Sequence, residues 1–365
     1  MKVLFLIEDL GSGGAQRQLV KLALDFKARG HCVSVLSYYD KQFYRQALLD
    51  GGVGIYEIFG ESQIKRVLKV RKFIRSGSYS VIIAFLGTPV FIGEISALPF
   101  KKWKLIVGER SANPNLTKKL KLRIKRFFHL FADYIVANSY KNMAMVRQIN
   151  PFLSDHKCRI IYNSIDLDVY APLPDYIFRE NGSLRIVIPA SYRKLKNLIG
   201  LIEGVSHLLM DEKKQLEIHW YGDRTPNVEP DFVLEEAEQL IEKYSLQSVF
   251  TLHPTEFEIH KVIQQADAVG LFSFFEGLPN AVCEGMACGK PIIASDVSDI
   301  PLFVKDKISG VLCKATEVES ISSALRYMIS LSPDKLENMG RLSRLKAEEL
   351  FDGKINSGKY LELFG

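Results

Sequence analysis

A chain of 365 residues, 47% hydrophobic and 25% charged with a net charge of +6, is long enough for two domains that each bury a core. That composition excludes a disordered or fibrous chain. Five scattered cysteines, Cys32, Cys158, Cys283, Cys288 and Cys313, lack a two-residue spacing; they speak against a disulfide framework or a zinc site and for a reducing, cytoplasmic setting.

Met1-Lys2 leads directly into an apolar run, Val3 to Ile7, too short for a signal-peptide core and read as a first buried strand. Periodicity then predicts strands at 32–37, 81–85, 104–109, 133–137 and 158–162, with helices at 15–29, 61–75, 117–131 and 139–148. The window 81–100 is the most membrane-like, but Pro89, Gly93 and Glu94 break it into strand, loop and short helix. After a turn-rich stretch at 161–183 the alternation restarts, with strands at 184–190, 215–220, 248–252, 268–272 and 291–295. Helices are predicted at 197–210, 231–244, 256–266, 279–288, 317–330 and 334–351. Two α/β units, each a doubly wound parallel sheet of the Rossmann-like kind, are expected to face a ligand cleft.

The first loop holds Gly11, Gly13 and Gly14 after the opening strand. A dinucleotide fingerprint needs a third glycine where Gln16 stands, so Asp40 at ribose spacing is left without its motif. What survives is physical: glycines at a helix N-terminus expose amides that welcome an anion.

The more informative stretch is FSFFEGLPNAVCEGMACGKPIIASDVSDIP, residues 272–301. Phe272 ends a strand, Glu276 lies in a loop lined by Gly277 and Leu278, and Pro279 suits the first helical position before a stop at Gly289. Glu276 and Glu284 would then reach opposite ends of one elongated polar ligand, with the positive helix end between them. A nucleotide sugar has that shape and charge.

EGLPNAVCEGMACGKPIIAS resembles the signature of the retaining glycosyltransferases of family 4, which have the two-domain GT-B fold. GSGGAQRQL, VGERSANP (107–114), VANS, IIYNSIDLDVY, ASYRKLKN and YGD extend the resemblance over nearly the whole chain. It implies an acceptor-binding domain at 1–170 and a donor-binding domain at 184–344, with the final helix (about 345–365) packing back on the first. In the implied donor site Glu284 accepts hydrogen bonds from the ribose, while Glu276, Gly277 and Leu278 hold the sugar beside Pro279 and Asn280. Lys196 faces the diphosphate, with Gly14 opposite and Gly222 nearby. Gly13, Glu109 and Arg110 fall on the acceptor side. Many members carry an arginine five residues before the lysine; Ser191 stands there, and Arg193 is the candidate replacement. Fixed cations suit a departing nucleoside diphosphate, and no cofactor or metal is expected. Asp166-Leu167-Asp168 lies in the interdomain segment and is taken as structural, and His129, His219 and His253 as packed or surface residues.

Residues 1–175 carry 27 Lys+Arg against 14 Asp+Glu, and the remainder 21 against 28. The basic half contains KKWK (101–104) and KKLKLRIKRFF (118–128), where Leu120, Ile124 and Phe127 share one helical face. Such a segment lies on an anionic membrane or packs its apolar stripe into a core; nucleic acid is not expected, since no recognised module accompanies the charge. The implied activity moves a sugar, by default from a UDP-sugar, to a saccharide or lipid-linked saccharide in lipopolysaccharide, capsule or other surface-polysaccharide assembly, peripherally at the inner membrane face. The alternatives are a non-catalytic nucleotide-sugar-binding scaffold of the same fold, or a GT-B epimerase or phosphorylase.

Overall fold

The computed structural model describes residues 1–110, 120–223 and 233–365. Packing divides the chain into Met1–Ser164 with Gly353–Gly365, and Ile165–Asp352.

In the first unit the described residues form seven strands: β1 (Lys2–Leu6), β2 (Cys32–Ser37), β3 (Gly54–Glu57), β4 (Val81–Phe85), β5 (Lys104–Glu109), β6 (Tyr134–Ala137) and β7 (Cys158–Ile160). They pair in the order β3-β2-β1-β4-β5-β6-β7, every ladder parallel. Parallel neighbours need crossovers, which helices such as Gly14–Ala28 and Gln63–Ser76 supply. The central strands are buried on both faces, which is why Val3–Leu6 and Val81–Phe85 read as unbroken apolar runs.

In the second unit, β8 (Leu184–Pro189), β9 (Leu216–Tyr221), β10 (Phe250–His253), β11 (Ala268–Leu271), β12 (Ile292–Ser295) and β13 (Gly310–Cys313) run in the order β10-β9-β8-β11-β12-β13, again all parallel. The order reverses between β1 and β4 in one sheet and between β8 and β11 in the other. Those are the positions where doubly wound sheets open a crevice at the carboxyl ends of their strands.

β3 and β13 have no counterpart among the expected strands, and residues 165–183 pack with the second unit. The helix expected at 197–210 is two, Leu198–Ser206 and Met210–Lys213. The long helix Pro333–Phe351 stops at Asp352, whose extended backbone (φ −54°, ψ 124°) turns the chain into a separate helix, Gly353–Glu362. That helix belongs to the first unit: Tyr360, Leu363 and Phe364 join its core, and the Phe364 ring meets Phe26 edge-on at 5.3 Å. Among the described residues no helix is long and apolar enough to cross a membrane, and the window 81–100 forms β4 and the helix Gly87–Ser96.

Candidate active site

The loops after β8 and β11 flank the switch point of the second sheet, and both carry residues singled out by the sequence. From β8 the chain makes a short 3-10 turn, Lys194–Lys196, and enters the helix Leu198–Ser206 through Asn197, a left-handed residue (φ 61°, ψ 40°). Asparagine tolerates that conformation, and its Nδ2 donates to the Ala315 carbonyl at 2.8 Å, which fixes the turn. The amide of Phe274 donates to the Leu195 carbonyl at 3.0 Å, stitching the two loops together.

Across that stitch Lys196 Nζ donates to Glu276 Oε1 at 2.5 Å, and Ser273 Oγ donates to the same oxygen at 2.7 Å. Lys196 and Glu276 are both partly buried, so the pair is screened less than a surface ion pair. Gly277 is held by a hydrogen bond from Ser298 Oγ to its carbonyl. Leu278 is buried, and Pro279 is the N-cap of the helix Asn280–Ala287 rather than its first residue. Its ψ of 101° is extended, so the helix begins one residue later than the proline rule predicts. Asn280 opens the helix, and no acid occupies its first turn to compensate its positive end.

Glu284 lies in the second turn of this helix, only 4% exposed. The helix sits close on the sheet because Gly285 faces Val269, where an added Cβ would come within 2.7 Å of the side chain. Gly222 is required too: a Cβ there would meet the Ala190 carbonyl oxygen at 2.1 Å, closing the approach between the loops after β8 and β9. The Arg193 side chain is exposed, while its carbonyl accepts the Lys196 amide at 2.8 Å.

The fold thus gathers Lys196, Glu276, Gly277, Leu278, Pro279, Asn280, Glu284 and Gly222 at one end of one sheet. It offers an ammonium, two carboxylates and an uncompensated helix N-terminus. Such a set can hold hydroxyls and a diphosphate together. Ser273, Ser298 and Asn197 support it and were not among the expected site residues.

Residues 12–169 match the family described as Glycosyltransferase Family 4, and residues 177–346 the family described as Glycosyl transferases group 1. The chain belongs to the family 4 glycosyltransferases. An N-acetylgalactosamine-N,N'-diacetylbacillosaminyl-diphospho-undecaprenol 4-alpha-N-acetylgalactosaminyltransferase of Campylobacter jejuni is 24% identical across 95% of this chain and 94% of that one. A second Campylobacter jejuni enzyme, a GalNAc-alpha-(1->4)-GalNAc-alpha-(1->3)-diNAcBac-PP-undecaprenol alpha-1,4-N-acetyl-D-galactosaminyltransferase, is 23% identical over 90% of this chain and 89% of its own. The crystal structure of Anabaena Alr3699/HepE in complex with UDP superposes with a TM-score of 0.86 at 19% identity over 99% of each chain, giving the GT-B fold.

The first unit of this glycosyltransferase carries the remaining expected residues. Gly13 is the N-cap and Gly14 the first residue of the helix Gly14–Ala28, both exposed. Gln16, in the place of the missing third glycine, donates to Asp9 Oδ1 at 2.9 Å, and the Gly11 amide donates to the same oxygen at 2.9 Å. The loop is therefore closed by its own carboxylate. Arg110 donates to Asn163 Oδ1 at 2.6 Å and to Tyr360 Oη at 2.5 Å, with its guanidinium 4.2 Å from the Phe85 ring centre.

Glu109 is buried with both oxygens engaged: Arg126 donates to Oε2 at 2.7 Å and His129 Nε2 lies 3.2 Å from Oε1. His129 Nδ1 lies 2.5 Å from Glu94 Oε1. Burial alone would push the His129 pKa down, but the charge of Glu94 and the hydrogen bonds to Glu109 and Glu94 pull it up to about 9. His129 is therefore an imidazolium bridging two carboxylates, packed as expected. Burial would raise the Glu109 carboxyl; the His129 hydrogen bond and the Arg126 charge outweigh it and hold it below its ordinary range. His219 and His253 pair with each other, ring nitrogen to ring nitrogen at 3.1 Å. Asp166 accepts the amides of Asp168 and Val169, a local turn in keeping with a structural role.

The helix Leu120–Phe127 reverses the core-packing alternative for its apolar stripe. Leu120, Ile124 and Phe127 are exposed, and it is Arg126 that faces inward to Glu109. Phe100, Leu130 and Phe131 are exposed as well, with Lys101 donating to the Phe131 carbonyl and Lys157 to that of Leu130. Residues 118 and 119 of the basic segment lie outside the described residues.

Proposed function

We propose that this glycosyltransferase takes a nucleotide sugar, by default a UDP-sugar, at the Lys196–Glu276–Glu284 site and transfers the sugar with retained anomeric configuration and without a metal. The acceptor is a lipid-linked saccharide of a cell-surface polysaccharide, met at the cytoplasmic face of the membrane. The observation that carries the reading is the Lys196–Glu276 ion pair at the switch point, in the loop that leads into the helix carrying Glu284.

Lys196, with Arg193 as a second cation, would neutralise the diphosphate as its bond to the sugar breaks. Glu276 would orient the sugar and Glu284 the ribose. Glu276 and Glu284 stand in a donor-binding role, not as the paired nucleophile and acid of retaining hydrolases; the departing phosphate oxygen would take the acceptor's proton as it attacks from the same face. Gly13, Gly14, Glu109 and Arg110 are assigned to the acceptor side. The names of the Campylobacter relatives, which act on undecaprenol diphosphate saccharides, support this acceptor class.

Thermal unfolding with UDP, GDP, ADP and a panel of nucleotide sugars tests the donor. UDP and one UDP-sugar at 100 times their dissociation constants should each add about 2.7 kcal/mol, and Glu284→Ala should abolish the response. Stabilisation by none of them, or an undiminished response in Glu284→Ala, would refute the assignment. Transfer in the presence of EDTA, with the product's anomeric configuration read by NMR, checks metal independence and retention.

Exposed apolar side chains flanked by lysines fit the headgroup region of an anionic bilayer. The protein should pellet with phosphatidylglycerol vesicles but not phosphatidylcholine ones. The double variant Ile124→Glu/Phe127→Glu, changed only at exposed positions, should bind at least tenfold more weakly; unchanged pelleting would remove this surface from the proposal.

A further inference from the structure

At the opposite rim of the second sheet lies a cavity of about 450 Å³ that contains none of the donor-site residues. It opens at the C-terminal end of the helix Asn280–Ala287, between the segment 172–178 and one face of the helix Pro333–Phe351. An eight-residue helix rises about 12 Å, so donor loop and cavity sit at its two ends.

Lys290 lines this cavity, only 2% exposed. Its ammonium makes no hydrogen bond or ion pair among the described residues. It rests instead on aromatic faces, 3.3 Å from the Tyr176 ring centre and 5.2 Å from that of Phe178. A buried cation with only ring faces for company lacks a counter-charge. The buried carboxylate of Asp267 is committed elsewhere: it accepts from Tyr176 Oη, the Arg179 amide and the Arg185 amide.

Around Lys290 the cavity wall carries Arg341, Arg344, Asp334 and Glu337. Arg344 is spent on backbone carbonyls and Glu348, whereas Arg341 is exposed and bonds only Asn338. Pro172, Leu173 and Phe178 give the remaining wall an apolar character.

We propose that this cavity is a second ligand site, separate from the donor site, for a small organic anion: a carboxylate or phosphate monoester on a planar or apolar body. The anionic group pairs with Lys290 and Arg341, and the body lies against Phe178 and the prolines. Burial pushes the Lys290 ammonium down to about 8, with the neighbouring Cys288 and Asp267 pulling back. An anion favours the charged amine, so binding takes up a proton above pH 8 and affinity falls about tenfold per pH unit there. Asp334, Glu337 and Asp267 oppose the anion, and Arg341 and Arg344 favour it; burial pushes the Cys288 thiol up to about 12 and the Tyr176 hydroxyl higher still, so both stay neutral between pH 7 and 9.

The test is calorimetric titration of the full chain with benzoate and phenyl phosphate, and with benzyl alcohol as the uncharged control, at pH 7 and pH 9. Saturable binding of at least one anion, weaker by about tenfold at pH 9, is expected, with none for benzyl alcohol. Lys290→Met should lose binding and Arg341→Gln, at an exposed position, should weaken it severalfold. The response to UDP should persist in both, which separates loss of this site from misfolding and from failure of the donor reading. Binding of benzyl alcohol as tightly as the anions, full affinity in Lys290→Met, or no binding at millimolar concentrations would each overturn the proposal.

Discussion

Replacing Lys196 by alanine should lower turnover by about 100-fold or more while leaving UDP affinity far less affected. The expectation rests on when the lysine's partner charge appears. A nucleoside diphosphate leaving group gains negative charge as its bond to the sugar breaks, so a fixed cation stabilises the transition state more than the ground state. Fixation is what the structure supplies: Lys196 sits at the end of a 3-10 turn, locked by the left-handed Asn197, and is held by a carboxylate that Ser273 also holds. Steady-state transfer of a radiolabelled sugar into lipid-linked product, alongside UDP titration, separates the two quantities. A Lys196→Ala variant with wild-type turnover would sink the assignment. One whose turnover and UDP affinity fell equally would make Lys196 a binding residue only.

Glu109→Ala should destabilise the first unit by about 3–5 kcal/mol, the cost of stranding one side of a buried ion pair. Here the stranded side is Arg126, while His129 loses one of its two partners and keeps Glu94. The chain has two tryptophans, Trp103 in the first unit and Trp220 in the second; urea unfolding followed by Trp103 in a Trp220→Phe background reports on the unit concerned. The same cluster sets a pH dependence. The His129 pKa rises from 6.5 to about 9 on folding, so its stabilisation is complete below pH 6.5 and is lost as pH climbs to about 9. Glu94, raised chiefly by burial, acts in the same direction. Glu109, held low, contributes only above the carboxylate range. The first unit should therefore lose stability between pH 6.5 and 9, and His129→Gln should flatten that slope. A loss below 1 kcal/mol for Glu109→Ala would mean the cluster is solvated rather than buried.

The central strands were legible because parallel strands buried on both faces must be apolar throughout, as in Val81–Phe85. β3 escaped notice for the converse reason: Gly54–Glu57 is an edge strand in which only Ile55 packs partly on the core, so it has no apolar run. The donor loop announced itself in EGLPNAVCEG, since the chemistry of glycine, proline and glutamate is concentrated in a few consecutive positions. The family resemblance points to Lys196, but its pairing with Glu276 was not legible: the two are 80 residues apart, and only the strand order brings their loops together. The helix Leu120–Phe127 shows the limit of periodicity. Its apolar stripe is genuine, but Glu109 draws Arg126 inward and turns the stripe out. Lys290 gave no sign in the sequence, because its aromatic partners come from a segment more than 100 residues earlier.

The return of Gly353–Glu362 to the first sheet makes the order of synthesis differ from the order of completion. Tyr360, Leu363 and Phe364 fill a core begun by Phe5 and Phe26, so the first unit has to wait, open on that side, while the second unit is made. Contacts spanning the whole chain are slow to form and expose apolar surface in the interval. During translation the second unit can close first, and the half-built first unit is then the part of the nascent chain most in need of a chaperone.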